Sequence, residues 1–346
     1  MKSQNIKSKD AYKNVRVGIT YNLKKNIIKD PPDFEAEFDD FDTILAIKNA
    51  LESSGYTVIL YEVSDDLPLR LMTKRPDIVF NIAEGSNGYG REAHIPAILN
   101  FLSIPFSGSD ETTMCFAMNK DKAKRLALSH GIKTPSWKLF NSIESFSTEN
   151  LNFPAIVKPN AEGSSKGITG KSVVNSSWEL RETLNEKFKV YRQEMLVEEY
   201  IQGREFTVGI LGNGNEKHVY SPMEIVFKSR EHSIYSYDVK RNFKSFIEYT
   251  CEPDIDKDVL TKLKNNAGML YDAFGCFDFA RIDFRVSENN DIYFIEINPL
   301  AGLAPGYSDF PMLAEFCGTD YNSLICSILD SAIKRYGISF GVSDER

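Results

Sequence analysis

Asp283, Glu296 and Asn298 lie near the ends of two apolar runs, in the phrases Arg281-Ile282-Asp283-Phe284 and Glu296-Ile297-Asn298-Pro299. All three offer hard oxygen atoms, and neither histidine nor cysteine accompanies them. Oxygen-only donors favour Mg²⁺ over Zn²⁺, and Mg²⁺ is usually held by a few carboxylates together with nucleotide phosphates. Stretches 280–286 and 292–297 are β-like, and the polar stretch 287–291 reads as a turn, so the three side chains belong to one hairpin. Period-two alternation sets Glu296 and Asn298 on one face of their strand. Arg281 is the nearest competing charge. Solvent-facing acids beside a turn are the plainer reading of these residues taken alone.

Two further segments suit a phosphate and a nucleoside. Ile156-Val157-Lys158-Pro159 runs into Asn160-Ala161-Glu162-Gly163-Ser164-Ser165-Lys166-Gly167-Ile168. An apolar strand delivers a lysine, and the Gly/Ser-rich loop after it can surround an anion with N–H and hydroxyl donors. A Walker A loop is disfavoured, because the G-x-x-x-x-G-K-[ST] spacing is absent. In the third segment, Leu196-Val197-Glu198-Glu199-Tyr200-Ile201-Gln202-Gly203-Arg204-Glu205, a strand ends in acids, turns through Gly203 and restarts. Adenine needs a backbone donor and acceptor plus a side-chain acceptor for its amino group, and a ribose diol needs a carboxylate. Glu198 and Glu205 suit those two duties, with the backbone of Glu199, Tyr200 and Ile201 between them. A flexible connector and an ordinary surface turn are the alternatives for these two segments.

In this order the segments resemble the ATP-grasp superfamily and, within it, the D-alanine–D-alanine ligase family. Further phrases carry the resemblance: Asn81-Ile82-Ala83-Glu84-Gly85 with Gly90-Arg91-Glu92, Ile104-Pro105-Phe106-Ser107-Gly108-Ser109, Ala117-Met118-Asn119-Lys120-Asp121-Lys122 and Tyr235-Ser236-Tyr237-Asp238-Val239-Lys240. It runs from residue 15 to about residue 336. The resemblance implies a three-section ATP-grasp fold, α/β overall and α+β in the ATP-grasp part, with an N-terminal parallel-sheet α/β domain. It implies an ATP-dependent carboxylate–amine ligase that forms an amide or related C–N bond through an acyl phosphate, releasing ADP and phosphate. Lys120 and Lys158 match the phosphate-binding lysines, with Gly163 and Gly167 in the loop beside them. Asp283, Glu296 and Asn298 match the ligands of two Mg²⁺ ions, for which Mn²⁺ is an alternative. Arg281 and the N–H of Gly302 match oxyanion stabilisers. Ser164, Ser165 and Lys240 match groups on loops that close over the reacting phosphate and exclude water. Small amino acids are the expected substrates, and a homodimer is the expected assembly.

Some positions depart from the family. Glu37 is the first choice for the glutamate that anchors the donor amine and Glu35 the second, with surface acids on an N-terminal helix as the plain alternative. Arg241 follows Lys240 where the family has an aromatic residue. Ser308-Asp309 replaces Ser-Leu, so Asp309 gives an anionic wall around the acceptor side chain. An unpaired buried carboxylate is costly, so Asp309 is expected to meet Arg241 or a basic group on the acceptor. These departures favour an acceptor larger or more polar than D-alanine. A true cell-wall D-alanine–D-alanine ligase is the alternative, and a non-catalytic nucleotide-binding regulatory module is the alternative of another class.

The elements that must position these groups follow from periodicity. Strands at 15–20, 56–60 and 77–82 with helices at 43–53 and 93–102 make a small parallel sheet. Strands at 206–211 and 219–227, a helix at 259–274, the acidic hairpin and a helix at 321–336 make the last section. The expected divisions are a tail at 1–13, an N-terminal substrate domain at 14–112, a central ATP-grasp subdomain at 113–201 and a C-terminal one at 202–346. With 41 basic and 49 acidic residues, the net charge of −8 argues against a nucleic-acid partner. No apolar stretch approaches a membrane span, and the start of the chain lacks a signal-peptide core. The 5 cysteines show no C-x-x-C spacing and the 4 histidines are isolated, which argues against a disulfide frame or zinc centre and suits a cytoplasmic protein.

Overall fold

A computed structural model describes residues 15–27, 31, 33–228, 239 and 243–339. Strand β1 (Arg16–Tyr21) is apolar over most of its length and buried on both faces, as the centre of a parallel sheet must be. It is flanked by β2 (Thr57–Glu62) and β3 (Ile78–Asn81) in the order β2-β1-β3, all parallel. Helices Phe41–Ser53 and Leu67–Thr73 supply the two crossovers.

The second sheet is antiparallel and contains β4 (Trp137–Phe140), β5 (Ala155–Pro159), β6 (Val173–Val174) and β7 (Met195–Glu199) in the order β4-β7-β5-β6. Leu180 and Leu184 of helix Ser177–Tyr191 close its core over Phe140, Val157, Met195 and Val197. The largest sheet comprises β8 (Gly203–Leu211), β9 (His218–Val219), β10 (Met223–Phe227), β11 (Ile247–Thr250), β12 (Phe279–Ser287) and β13 (Ile292–Asn298). Its order is β11-β10-β8-β12-β13, with β9 on β8. The single strand expected at 219–227 is broken here. Pro222 cannot donate to a ladder, so the chain leaves the sheet between β9 and β10.

Helices Lys257–Ala273 and Lys120–Ser129 share one apolar core with the large sheet, through Leu263, Ala267, Ala123 and Ala127. Helices Asp309–Phe316 and Tyr321–Arg335 join Phe279 and Tyr220 to the core of the parallel sheet. Arg335 and the Gly108 N–H reinforce that junction by converging on the buried carboxylate of Asp278, at 2.8 and 2.9 Å. Among the described residues, no helix is long and apolar enough to cross a membrane.

Candidate active site

The β12–β13 hairpin sets Asp283 opposite Glu296 and Arg281 opposite Asn298, with an irregularity in register after Asp283. The predicted trio is therefore brought together. Arg281 donates from Nε and a terminal nitrogen to the two oxygens of Asp283, at 3.0 and 2.9 Å. Thr207 Oγ1 donates to the same carboxylate at 2.7 Å, and Asn298 Nδ2 at 3.1 Å. Lys120 Nζ lies 3.0 Å from Glu296 Oε2. Burial works to raise the Glu296 pKa, but Lys120, Lys158 and Arg281 outweigh it and hold the carboxyl at about 2. At Asp283 burial prevails over Arg281 and pushes the carboxyl up. No three His, Cys, Asp or Glu side chains converge on a common metal position among the described residues. The oxygens of Glu296 and Asn298 still suit Mg²⁺, which leaves much of its octahedron to phosphate oxygens and water, and Asp283, met by four chain donors, would join them by giving up one of those contacts.

The phosphate-binding lysines expected from the sequence sit at 7% (Lys120) and 3% (Lys158) side-chain exposure. Lys158 Nζ is 2.5 Å from Glu198 Oε1, and Lys124 Nζ is 2.6 Å from Glu198 Oε2. Lys124 was not singled out from the sequence. Its signal was the spacing: four residues beyond Lys120 places it on the same helical face. Burial pushes Lys124 down to about 8 against the opposing pull of Glu198. Burial likewise opposes the ionised form of Glu198, but the two lysines hold its pKa below the usual range. Glu198 thus meets the cleft as the centre of a Lys–Glu–Lys array.

Farther along, Glu199 accepts from Ser136 Oγ at 2.9 Å, while the N–H groups of Glu199 and Tyr200 bond Ser136 and Pro154 carbonyls. The Ile201 N–H has no hydrogen-bond partner among the described residues, which leaves it available to a base edge. Burial raises Glu205 to about 7, with Arg285 opposing.

Between β5 and β6, Ser164 and Ser165 adopt φ of +47° and +58°, a conformation that surrounding contacts must enforce. Gly167 is fixed by sterics: at φ +73°, an added Cβ would come within 2.6 Å of the Pro159 ring. The N-terminal turn ties this loop down. Asp33 Oδ2 accepts from Gly167 N at 2.8 Å and from the Tyr191 hydroxyl at 2.9 Å. Glu37 accepts from Gly163 N at 2.8 Å and from Arg91 at 3.0 and 2.5 Å, and Lys166 stands 3.5 Å away. Arg91 and Lys166 also meet Glu162, at 3.1 and 2.6 Å.

This network alters the expectation for Glu37. Its acceptor positions are already directed at four chain donors, which leaves little capacity for a substrate ammonium in this arrangement. Glu35 is turned away, accepting from Lys25 N and Ile27 N at 3.1 and 3.0 Å. Residues 33–37 form turns rather than the helix considered from sequence, and both glutamates are buried. Arg91, Glu162 and Lys166 lay inside motifs noted in the sequence, but nothing local revealed that they would converge.

Two clefts open on these groups. The wider, about 760 Å³, runs between the N-terminal unit and the hairpin and is lined by Glu84, Glu92, Gly302, Ser308 and Asp309, among others. The narrower, about 90 Å³, runs between the second and third sheets past Lys158, Glu198, Tyr200 and Glu205. Ser164, Arg281 and Glu296 line both. Glu84 and Glu92 share a side-chain hydrogen bond, and burial raises Glu92 to about 7 and Glu84 well above the carboxylate range.

Gly302 is exposed in the wide cleft, where a Cβ would approach Ser308 Oγ to 2.9 Å. That hydroxyl accepts from Ala304 N at 3.1 Å and so braces the loop. Asp309 is buried and meets Arg281 at 3.2 Å and the Tyr249 hydroxyl at 3.0 Å. Arg281 is a cation not anticipated for it, because only tertiary packing brings helix Asp309–Phe316 beside β12. Lys240 and Arg241 lie outside the described residues.

Comparison with known proteins identifies a family for the chain. A family model described as D-ala D-ala ligase C-terminus matches residues 126–330. A D-alanine–D-alanine ligase of Aquifex aeolicus is 34% identical over 285 residues, covering 82% of this chain and 92% of the relative. An uncharacterised protein of Sinorhizobium fredii, y4sG, is 31% identical, covering 83% and 86%. The crystal structure of a D-alanine–D-alanine ligase from Bacillus anthracis complexed with ATP superposes with a TM-score of 0.73 at 21% identity, covering 93% of this chain and 99% of that one. VanG, a D-Ala:D-Ser ligase from Enterococcus faecalis, superposes with a TM-score of 0.70 at 20% identity, covering 92% and 99%. At these identities the structural likenesses speak to the fold.

Proposed function

Because this chain belongs to the D-alanine–D-alanine ligase family of ATP-dependent C–N ligases, we propose that it joins the carboxylate of one amino acid to the amine of another, with an acceptor larger or more polar than D-alanine. The carrying observation is the meeting of the two clefts at Ser164, Arg281 and Glu296. A nucleotide in the narrow cleft and a carboxylate in the wide one would face each other there. Catalysis of such a transfer is mostly positioning and charge neutralisation.

In this reading Lys120 and Lys158 receive phosphate oxygens, while the Gly302 N–H and Arg281 face the oxyanion of the reacting carbonyl. The loop around Ser164 and Ser165 keeps water from the activated acyl group. Asp283, Glu296 and Asn298 would hold Mg²⁺, which would offset the charge of the phosphates. The donor ammonium is received by Glu84 and Glu92, whose mutual repulsion a cation relieves, with Glu37 behind them.

The polar acceptor rests on the replacement of an apolar wall residue by Asp309 in the lining of the wide cleft, although Arg281 and Tyr249 already meet that carboxylate. D-alanine itself is the competing acceptor, favoured by the Aquifex relative. Incubating the protein with ATP, Mg²⁺ and separate D- and L-amino acids, then identifying condensed products by mass, decides between them. D-alanine as the best acceptor by a wide margin removes the polar-acceptor reading, and phosphate release that ignores every amine removes the ligase reading.

Two variants test the assigned sites. Asp283→Asn is expected to shift the Mg²⁺ dependence of turnover to higher concentration with folding intact, and an unchanged titration counts against the metal role. Glu84→Gln is expected to raise the KM for the donor amino acid about tenfold while changing that for ATP little, the loss of one hydrogen bond to a charged group.

A further inference from the structure

Arg281, Asp283 and Arg285 project from the same face of β12, two residues apart, and all three line the narrow cleft. Arg281 stands at the junction with the wide cleft. At the strand rise, Arg285 lies about 13 Å farther along, on the other side of Asp283. Tyr200 lies beside it, and Ile201, Ile156, Pro135 and Ile295 also line this cleft, flat or aliphatic groups suited to a ring rather than a phosphate.

Arg285 is itself unusual. It is 8% exposed, and its guanidinium lies over the Tyr200 ring, 4.7 Å from the centroid. One terminal nitrogen donates to the Gly203 carbonyl at 3.2 Å, and the other is 3.9 Å from Glu205 Oε2. Its Nε–H is buried and has no hydrogen-bond partner among the described residues. A buried, unmatched donor on a charged group carries a desolvation cost, so its retention beside a ligand cleft calls for a ligand acceptor. Tyr200 covers one face of the guanidinium, and a planar π-system is the natural cover for the other.

We propose that Arg285 is a nucleobase-binding residue, whose guanidinium forms a platform between Tyr200 and the purine ring and whose in-plane Nε–H is left to an acceptor at the edge of that stack, such as a ribose oxygen of the nucleotide. The inference rests on the narrow cleft being the nucleotide site. It adds a cationic stacking partner to the Ile201 N–H edge and to Glu205, and it predicts that much of the affinity for nucleotide resides at the base rather than at the phosphates alone.

The experiment is calorimetric titration of wild type, Arg285→Met and Arg285→Lys with Mg²⁺–ADP and with Mg²⁺–tripolyphosphate, each variant first checked by thermal unfolding. Arg285→Met is expected to bind ADP about tenfold more weakly, equivalent to about 1.4 kcal/mol, and tripolyphosphate as wild type does. Arg285→Lys keeps a cation near Glu205 but loses the plane, and is expected to show most of the same loss. It also carries the test if the methionine variant does not fold. An unchanged ADP affinity in a folded variant, or an equal loss for tripolyphosphate, overturns the base-stacking role while leaving the nucleotide cleft intact. A wild-type protein that binds neither ligand overturns both.

Discussion

Arg281→Lys is expected to lower kcat by about a hundredfold or more and to leave the protein folded. Arg281 spends its planar donors in two directions, Nε and one terminal nitrogen on Asp283 and the other terminal nitrogen on Asp309. That fork fixes the cation at the junction of the two clefts, where the proposed acyl transfer would develop negative charge. Lysine supplies the same charge as a single point on a flexible stem and cannot span both carboxylates. The positive charge is retained and Thr207, Asn298 and Tyr249 still donate to the two acids, so unfolding should shift by much less than when the cation is removed. Arg281→Met is the less informative change: it strands two buried carboxylates at a cost of about 3–5 kcal/mol and confounds stability with chemistry. Steady-state ADP release measured beside thermal unfolding separates the two effects. A lysine variant turning over near the wild-type rate would show that this residue does not stabilise the oxyanion.

The parts of this site that sequence could reveal are those in which chemistry and spacing are local. Asp283, Glu296 and Asn298 sit within one hairpin, so strand alternation and a recognisable turn were enough to place them together. The strand carrying Lys158 and the loop carrying Ser164 and Ser165 were legible for the same reason. What escaped were charges paired across long stretches of chain. Lys124 is 74 positions from Glu198, and Arg91 is 54 positions from Glu37. Each looks like an ordinary surface residue on its own helix or turn, and only the tertiary fold removes it from water. The expected strand at 219–227 failed for a different reason, since apolar and β-branched composition overrode the one residue, Pro222, that could not join the ladder. Asp309 was correctly singled out as a charge needing a partner. Its contact with Arg281 depends on how helix Asp309–Phe316 docks on the sheet, which no local pattern encodes.

Arg91→Met is expected to destabilise the protein by about 3 kcal/mol and to uncouple ATP consumption from ligation. Arg91 joins three segments that are remote in sequence: the turn bearing Glu37, its own stretch before helix His94–Phe101, and the Gly/Ser-rich loop through Glu162 and the Ala161 carbonyl at 2.9 Å. Without it, Glu37 keeps only Gly163 N and the more distant Lys166, so a buried carboxylate is left largely uncompensated. The sign of the pH dependence follows. Burial favours the neutral form of Glu37, but Arg91 and Lys166 outweigh it and hold the folded-state pKa below its ordinary value. The pair therefore stabilises the fold above the ordinary carboxylate range, and the contribution disappears as pH falls through the lowered value. The gap in unfolding temperature between wild type and Arg91→Met should be widest near neutrality and close in acid. Combining Arg91→Met with Glu37→Met removes both charges and should recover much of the stability, because an apolar pair can replace a buried ion pair. Activity should not recover with it, since the loop has lost its tie to the N-terminal unit and water can reach the activated carbonyl. The decisive reading is the ratio of phosphate released to product formed: it should rise in both variants, and a double variant that is stable and fully coupled would leave the Arg91–Glu37 contact with a purely structural role.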